Sequence, residues 1–370
     1  MKIVSLRVAL AFALFLFSNP CAKAEDASID QLLKKLPPPE KLVKPTVKQA
    51  LSRPDPAFQD SLIGQIAYSL AYRNVPAALD SSRKLTAKYP HSSGAHCLRG
   101  VIAGELHQFG ESEASYQQAV SIDPKYSFAH FGLGADELFQ GHYTGAVPHF
   151  RKITELEPKS YVGWLFLSAC AERTGHKQES LEHAKRATAL DPSYDVTWVQ
   201  LARAEKALGH PQETLAAVTK AAELSPDDAY LLSTVGYGYI NLNRIAEAIT
   251  PLQRAAKISP KDFLIHSQLG YCLEVTGQLD AGIDHLRKGA SLNPTYGPVW
   301  EHLGLAYQKQ GKHRDAVKAF ERATQIIPNY RLGWQHLAEE YRAVGQNAEA
   351  DRAAARAQSL PVVAGTKKKL

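Results

Sequence analysis

Cysteine is scarce: the 370 residues hold four, and Cys21 lies in a segment that reads as removed. The remaining Cys97, Cys170 and Cys272 are odd in number and spaced like neither a disulfide framework nor a metal site. No Asn-x-Ser/Thr acceptor with a permitted middle residue occurs, which favours a bacterial envelope over a eukaryotic secretory route. Excess charge is small as well. The net charge is +6; taking away Lys2, Arg7 and Lys23 of the removed segment leaves +3. That is too weak and too dispersed for nucleic acid, which needs a concentrated basic face. Beyond the first 24 residues no apolar run approaches the roughly 20 residues that a bilayer core requires. Catalytic signatures are missing too: there is no Gly-x-Ser-x-Gly, His-Glu-x-x-His, phosphate-binding loop or dinucleotide fingerprint. The expectation is a non-enzymatic chain with no cofactor and no metal.

What is present begins with a secretory signal over residues 1–24. Lys2 and Arg7 give a positive start, Val8 to Phe17 is an uninterrupted apolar stretch, and Ala22-Lys23-Ala24 supplies a small-x-small cleavage pattern. Pro20 before Cys21 argues against a lipoprotein signal. Export to a periplasmic or extracellular location follows, with no membrane span once the signal is cleaved. Residues 25–58 carry Pro37-Pro38-Pro39, Pro45, Pro54 and Pro56, the composition of a stiff, extended leader.

A period then takes over. Pro90, Pro124, Pro158, Pro192, Pro226, Pro260, Pro294 and Pro328 each follow the last by 34 residues. For a residue used 21 times in 370, seven such coincidences would arise by chance on the order of once in a billion trials. Counting each proline as position 32 places nine repeats at 59, 93, 127, 161, 195, 229, 263, 297 and 331, ending near 361, with a basic tail over 362–370. Position 4 holds Trp164, Trp198, Trp300 and Trp334, with His96, His130 and His266 in the same column. Position 8 is small, from Gly100 and Gly134 to Ala338. Position 24 takes Tyr116, Phe150, Leu252, Leu286 and Phe320, and position 27 takes Ala119, Ala187, Ala221, Ala255 and Ala323.

Apolar residues at positions 4, 7, 8 and 11 make one helical stripe, and those at 20, 24 and 27 make a second. Between them Gly141, Gly175, Gly209, Gly277, Gly311 and Gly345 occupy position 15, where the chain must reverse. His107 and Asn243 stand in that column too, and both residue types tolerate positive φ better than most. The first repeat is degenerate, with Arg73 at the turn and Ser82 at position 24. The last helix, near 347–358, carries Arg352, Arg356 and Gln358, which suits an outer face that meets water.

These columns resemble the tetratricopeptide pattern W-x₂-L-G-x₂-Y…A-x₃-F…P, itself 34 residues long. The eighth repeat matches nearly every slot, with Trp300, Leu303, Gly304, Tyr307, Gly311, Ala316, Phe320, Ala323 and Pro328. The resemblance implies an all-α, right-handed superhelical solenoid of helix-turn-helix repeats. It also implies a concave face lined by positions 2, 5, 9, 12 and 13 of the first helices. Val101, Phe128, Phe131, Leu138, Phe139, Leu165, Val199, Tyr237, Ile240 and Tyr271 fall on those positions, along with Tyr230 and Leu264. So many large apolar side chains left bare would mark an interaction site, here a groove for an apolar peptide segment of a protein partner. The face reads as apolar toward the N-terminal half and polar toward Glu301, Gln308, Lys309, Gln335, Glu339 and Arg342. His302 and His336 share position 6 of adjacent repeats. Besides the scaffold or adaptor reading, two others stay open: an accessory subunit that presents substrate to a separate enzyme, and a solenoid that assembles end to end. The sequence leaves the oligomeric state and the partner's identity open.

Overall fold

The computed structural model describes residues 55–361, apart from Arg73. The signal segment, residues 25–54 of the leader, the turn residue Arg73 and the basic tail lie outside the described residues. Among the described residues, eighteen α-helices follow a short 3-10 turn, Pro56–Gln59. In order they are α1 Ser61–Ala71, α2 Val75–Lys88, α3 Ser93–Glu105, α4 Phe109–Ile122, α5 Ser127–Phe139 and α6 Tyr143–Leu156. Next come α7 Tyr161–Arg173, α8 Lys177–Leu190, α9 Asp195–Leu208, α10 Pro211–Leu224, α11 Ala229–Asn241 and α12 Ile245–Ile258. The last six are α13 Phe263–Val275, α14 Leu279–Leu292, α15 Gly297–Lys309, α16 His313–Ile326, α17 Arg331–Ala343 and α18 Asn347–Ser359. Each repeat boundary set by the prolines thus brackets one pair of helices. No strand occurs among the described residues.

The chain divides into two compact units, residues 1–208 and 209–370. In the first, the hairpins α1/α2, α3/α4, α5/α6 and α7/α8 stack in sequence and α9 follows on α8. In the second, α10 leads into the hairpins α11/α12, α13/α14, α15/α16 and α17/α18. Successive first helices also touch directly, as in α3 with α5 or α13 with α15. This is the helix-turn-helix solenoid that the period predicts.

The turns fall where the sequence places them. His107 and Asn243 have φ of 55° and 59°, and the six position-15 glycines range from 71° to 84°. At Gly141 the closing bonds run from the His142 N–H to the Glu137 carbonyl (2.8 Å) and from the Gly141 N–H to the Leu138 carbonyl (3.0 Å). That pairing satisfies the last carbonyls of α5 with a left-handed residue between them.

The position-4 column turns out to be a lock as well as a packing surface. The indole N–H of Trp198, Trp300 and Trp334 donates to the carbonyl of the proline six residues earlier, at 2.9, 3.0 and 3.0 Å. Nε2 of His96, His130 and His266 makes the same bond at 3.1 Å in each case. A carbonyl can only accept, so these imidazoles carry their proton on Nε2. Histidine replaces tryptophan here because both present a ring N–H at matching reach. Trp164 departs from the rule, its buried Nε1 being without a partner.

One boundary expectation shifts. Ala57 is fully buried, and Asp55 and Asp60 cap the 3-10 turn and α1. The described structure thus includes residues 55–58, inside the stretch read as leader. At the other end Arg352, Arg356 and Gln358 are exposed on α18.

Candidate functional site

The residues expected to line the concave face separate into two groups. Phe131, Leu138 and Leu165 are buried in the core of the first unit, and their placement in a groove is corrected. The cause is ring packing across the repeat junction. Phe166, at position 6 of the fourth repeat, stacks on Phe150 at 4.8 Å, and Phe131 meets Phe166 edge-on at 5.4 Å. Gly132 and Gly134 make room for this cluster: a Cβ on Gly132 would stand 2.3 Å from the Tyr116 ring, and one on Gly134 2.7 Å from the Phe150 ring. Such ring pairs favour the tilted and offset arrangements seen here. Val101 and Phe128 are half-buried against the same core, and Val199 is half-buried as well. Of the first unit's expected lining only Phe139 is exposed.

The second unit behaves differently. Tyr237 is 39% exposed, and Ile240 and Tyr271 are half-buried. Around them stand Tyr230 at 63%, Leu264 at 41%, Val275 at 45% and Leu332 at 45%. These seven come from positions 2, 9, 12 and 13 of α11, α13 and α17. At the expected lining positions the exposed apolar side chains therefore lie mostly on the second unit, the reverse of the direction read from the columns. Val275 and Leu332 were absent from the expected lining. Their signal was available, since they occupy positions 13 and 2.

Polar side chains at the same helices knit one repeat to the next. In the first unit, Glu111 on α4 is held by Arg83 of α2 and Arg99 of α3, with nitrogens at 2.9 and 2.8 Å. Those hydrogen bonds and charges hold its carboxyl down at about 2. Glu172 on α7 accepts from Gln200 (3.0 Å) and Arg203 (3.1 Å) on α9. In the second unit the partners are mostly imidazoles. Glu274 on α13 pairs with His302 on α15 at 3.3 Å and with Lys309. Glu301 on α15 pairs with His336 on α17 at 2.7 Å. Glu340 on α17 pairs with His313 on α16 at 2.9 Å and accepts from Gln308 on α15 at 2.8 Å. His302 and His336 thus each engage a glutamate of the preceding repeat. Lys309 is the partly exposed cation of this face, and Glu339 and Arg342 are exposed beside it.

Cys97, Cys170 and Cys272 are free and buried. Burial pushes the Cys170 and Cys272 thiols up to about 12, so they are inert packing residues rather than nucleophiles. Among the described residues, no three His, Cys, Asp or Glu side chains are grouped to hold a metal ion. No described helix is long and apolar enough to cross a membrane.

Comparison with known proteins gives the following. Models of the tetratricopeptide repeat match residues 93–126, 131–195 and 298–330. No curated protein matches the chain. Among solved structures, the chain is similar to YrrB, described as a TPR protein with an unusual peptide-binding site. That match is 19% identical, covers 50% of this chain and 95% of the other, and has a TM-score of 0.47. PilW, described as a widely conserved type IV pilus biogenesis factor, is 19% identical over 53% of this chain and 91% of its own, with a TM-score of 0.44. A tetratricopeptide repeat protein from Parabacteroides merdae ATCC 43184 is 14% identical over 68% of this chain and 99% of its own, with a TM-score of 0.47.

Proposed function

We propose that this chain, a tetratricopeptide-repeat protein, is a non-enzymatic protein–protein interaction scaffold of the bacterial cell envelope. It holds an apolar peptide segment on the concave face of its second unit. The observation that carries this reading is the set of exposed Tyr230, Tyr237, Leu264, Val275 and Leu332 on three first helices of the second unit, α11, α13 and α17. Rigid tyrosines give large contact area at little entropic cost, and their hydroxyls suit a half-wet surface. An exposed apolar set that spans repeats fits an extended or helical segment better than a small molecule, because no deep concavity is needed. Export rests on the charged start, apolar run and small-x-small pattern of residues 1–24.

The test uses the full chain and a displayed library of random peptides. Tyr237→Glu combined with Leu264→Glu should weaken the peptides selected on the wild type by tenfold or more, since both positions would lose apolar contact. Thermal melting should fall far less than for a core substitution, because both side chains reach solvent. Peptides that bind the variant as well as the wild type would sink the assignment of this face. The reading in which molecules stack end to end asks for an apolar outer face on α18. Arg352, Arg356 and Gln358 stand in solvent there, so that reading is not favoured.

A further inference from the structure

We propose that the junction joining repeats 8 and 9 is a pH-responsive segment of the solenoid. Buried Glu301 there is held by the imidazolium of His336 and is released as that group loses its proton. The geometry points to this through a contrast in partners. The carboxylates of Glu274, Glu301 and Glu340 are nearly inaccessible, at 3, 8 and 3% side-chain exposure. Each faces a histidine across a helix junction: His302 at 3.3 Å, His336 at 2.7 Å and His313 at 2.9 Å. In the first unit Glu172, at the same repeat position as Glu274, faces an arginine, as does Glu111, and arginines keep their charge at every accessible pH.

The charges around each imidazole are few. His336 on α17 meets Glu301 from α15, the Phe320 ring from α16 at 5.4 Å, and Glu339 and Glu340 on its own helix. His302 on α15 meets Glu274 and the Tyr271 ring of α13, the ring at 4.6 Å, and shares Glu274 with Lys309 of its own helix. His313 on α16 meets Glu340 of α17. A buried carboxylate that loses its only cation becomes an uncompensated charge in a poorly solvated place. Glu301 is the most exposed to that loss. Its second oxygen is buried with no partner, and no lysine or arginine among the described residues is paired with it.

The sign follows from the direction of the shift at His336. Burial alone lowers it, but the hydrogen bond to Glu301 and the charges of Glu301, Glu339 and Glu340 outweigh burial and raise it. A histidine raised in the folded state contributes stability that is fully present below the unfolded value near 6.5 and is lost as pH rises through the folded value. His266 and His285 of the same unit act the other way. They bond to each other through Nδ1 at 2.9 Å, and burial lowers both. They therefore titrate below that window, and a rise from pH 6.5 to 8.5 isolates the Glu301–His336 junction from them. Glu301 and His336 both stand on first helices, α15 and α17, which the repeat pattern assigns to the concave face, so loosening this junction changes the surface a partner meets.

The experiment is hydrogen exchange on the full chain, expressed as protection factors at pH 6.5 and pH 8.5. Helices α15–α17 should lose protection by about tenfold for each unit by which the junction raises His336. The arginine-bridged helices α7–α9 should keep theirs. His336→Asn leaves a donor near the Nδ1 position without a titrating charge, and it should flatten the profile of α15–α17. Equal losses in both regions, or a wild-type profile in His336→Asn, would overturn the proposal. If that variant does not fold, the ring-proton titration of His336 in the wild type and in Glu301→Gln decides. A midpoint above the ordinary imidazole range that falls in Glu301→Gln supports it. A wild-type midpoint at or below that range overturns it.

Discussion

Asp136 offers the sharpest stability prediction in the first unit. Its side chain sits on α5 at the junction with α3 and α4, 7% exposed, and Oδ2 is buried without a partner. Gly104 of α3 lies beside it, where a Cβ would stand in ordinary contact 3.5 Å from Oδ1. Burial raises the carboxyl from 3.8 to about 7; Ser112 opposes this, and the charges of Glu113 and Glu137 add to it. At 1.36 kcal/mol per unit, that rise amounts to about 4 kcal/mol of stability lost between acid and alkaline pH. The sign is that of an acid raised on folding: the native state holds the proton longer, so stability falls as pH climbs from about 4 to about 7 and then levels. Asp136→Asn keeps the shape and removes the charge. It should match the wild type near pH 4 and exceed it by about 4 kcal/mol near pH 8. Repeat arrays open locally, so the readout is hydrogen-exchange protection of α3–α5 at several pH values. Parallel pH profiles for variant and wild type would refute the reasoning, because the charge of Asp136 would then carry no part of the dependence.

Other outcomes follow from the same packing. Gly134→Ala should destabilise the first unit by about 1–3 kcal/mol, seen as a lower melting temperature, because its Cβ would press on the Phe150 ring. Asn243→Ala should cost about 1 kcal/mol while Asn243→Gly should not, since the residue sits at φ 59°; urea midpoints of the pair measure it. Phe131→Asp should melt the first unit, whereas Tyr230→Asp should leave melting within about 0.5 kcal/mol of the wild type, one being core and the other bare.

The fold was legible almost to the residue. Position 15 predicted each left-handed turn, including His107 and Asn243, because a turn's demand on φ is met or refused by the residue that stands there. The groove was less legible. Whether a position-5 side chain lies bare or buried is decided by the neighbouring repeat, and Phe131 is drawn into the core by Phe166, which belongs to another column. Val101 and Phe128 are half-covered by the same cluster. The polar junctions were half visible: His302 and His336 stood out as a matched pair. Their glutamates lay 28 and 35 residues back, at two different positions of the repeat, and no single column reveals them.

The ring-to-carbonyl lock has a consequence for how such a chain can be cut. Each lock spans the proline that ends one 34-residue block and the first helix of the next. Splicing at the prolines would sever it, leaving an indole or imidazole donor on one fragment and its acceptor on the other. Splicing at the position-15 turn severs none. The module that can be duplicated, deleted or grafted is therefore a second helix with the first helix that follows it. The two compact units of this chain part at Gly209, which is such a turn.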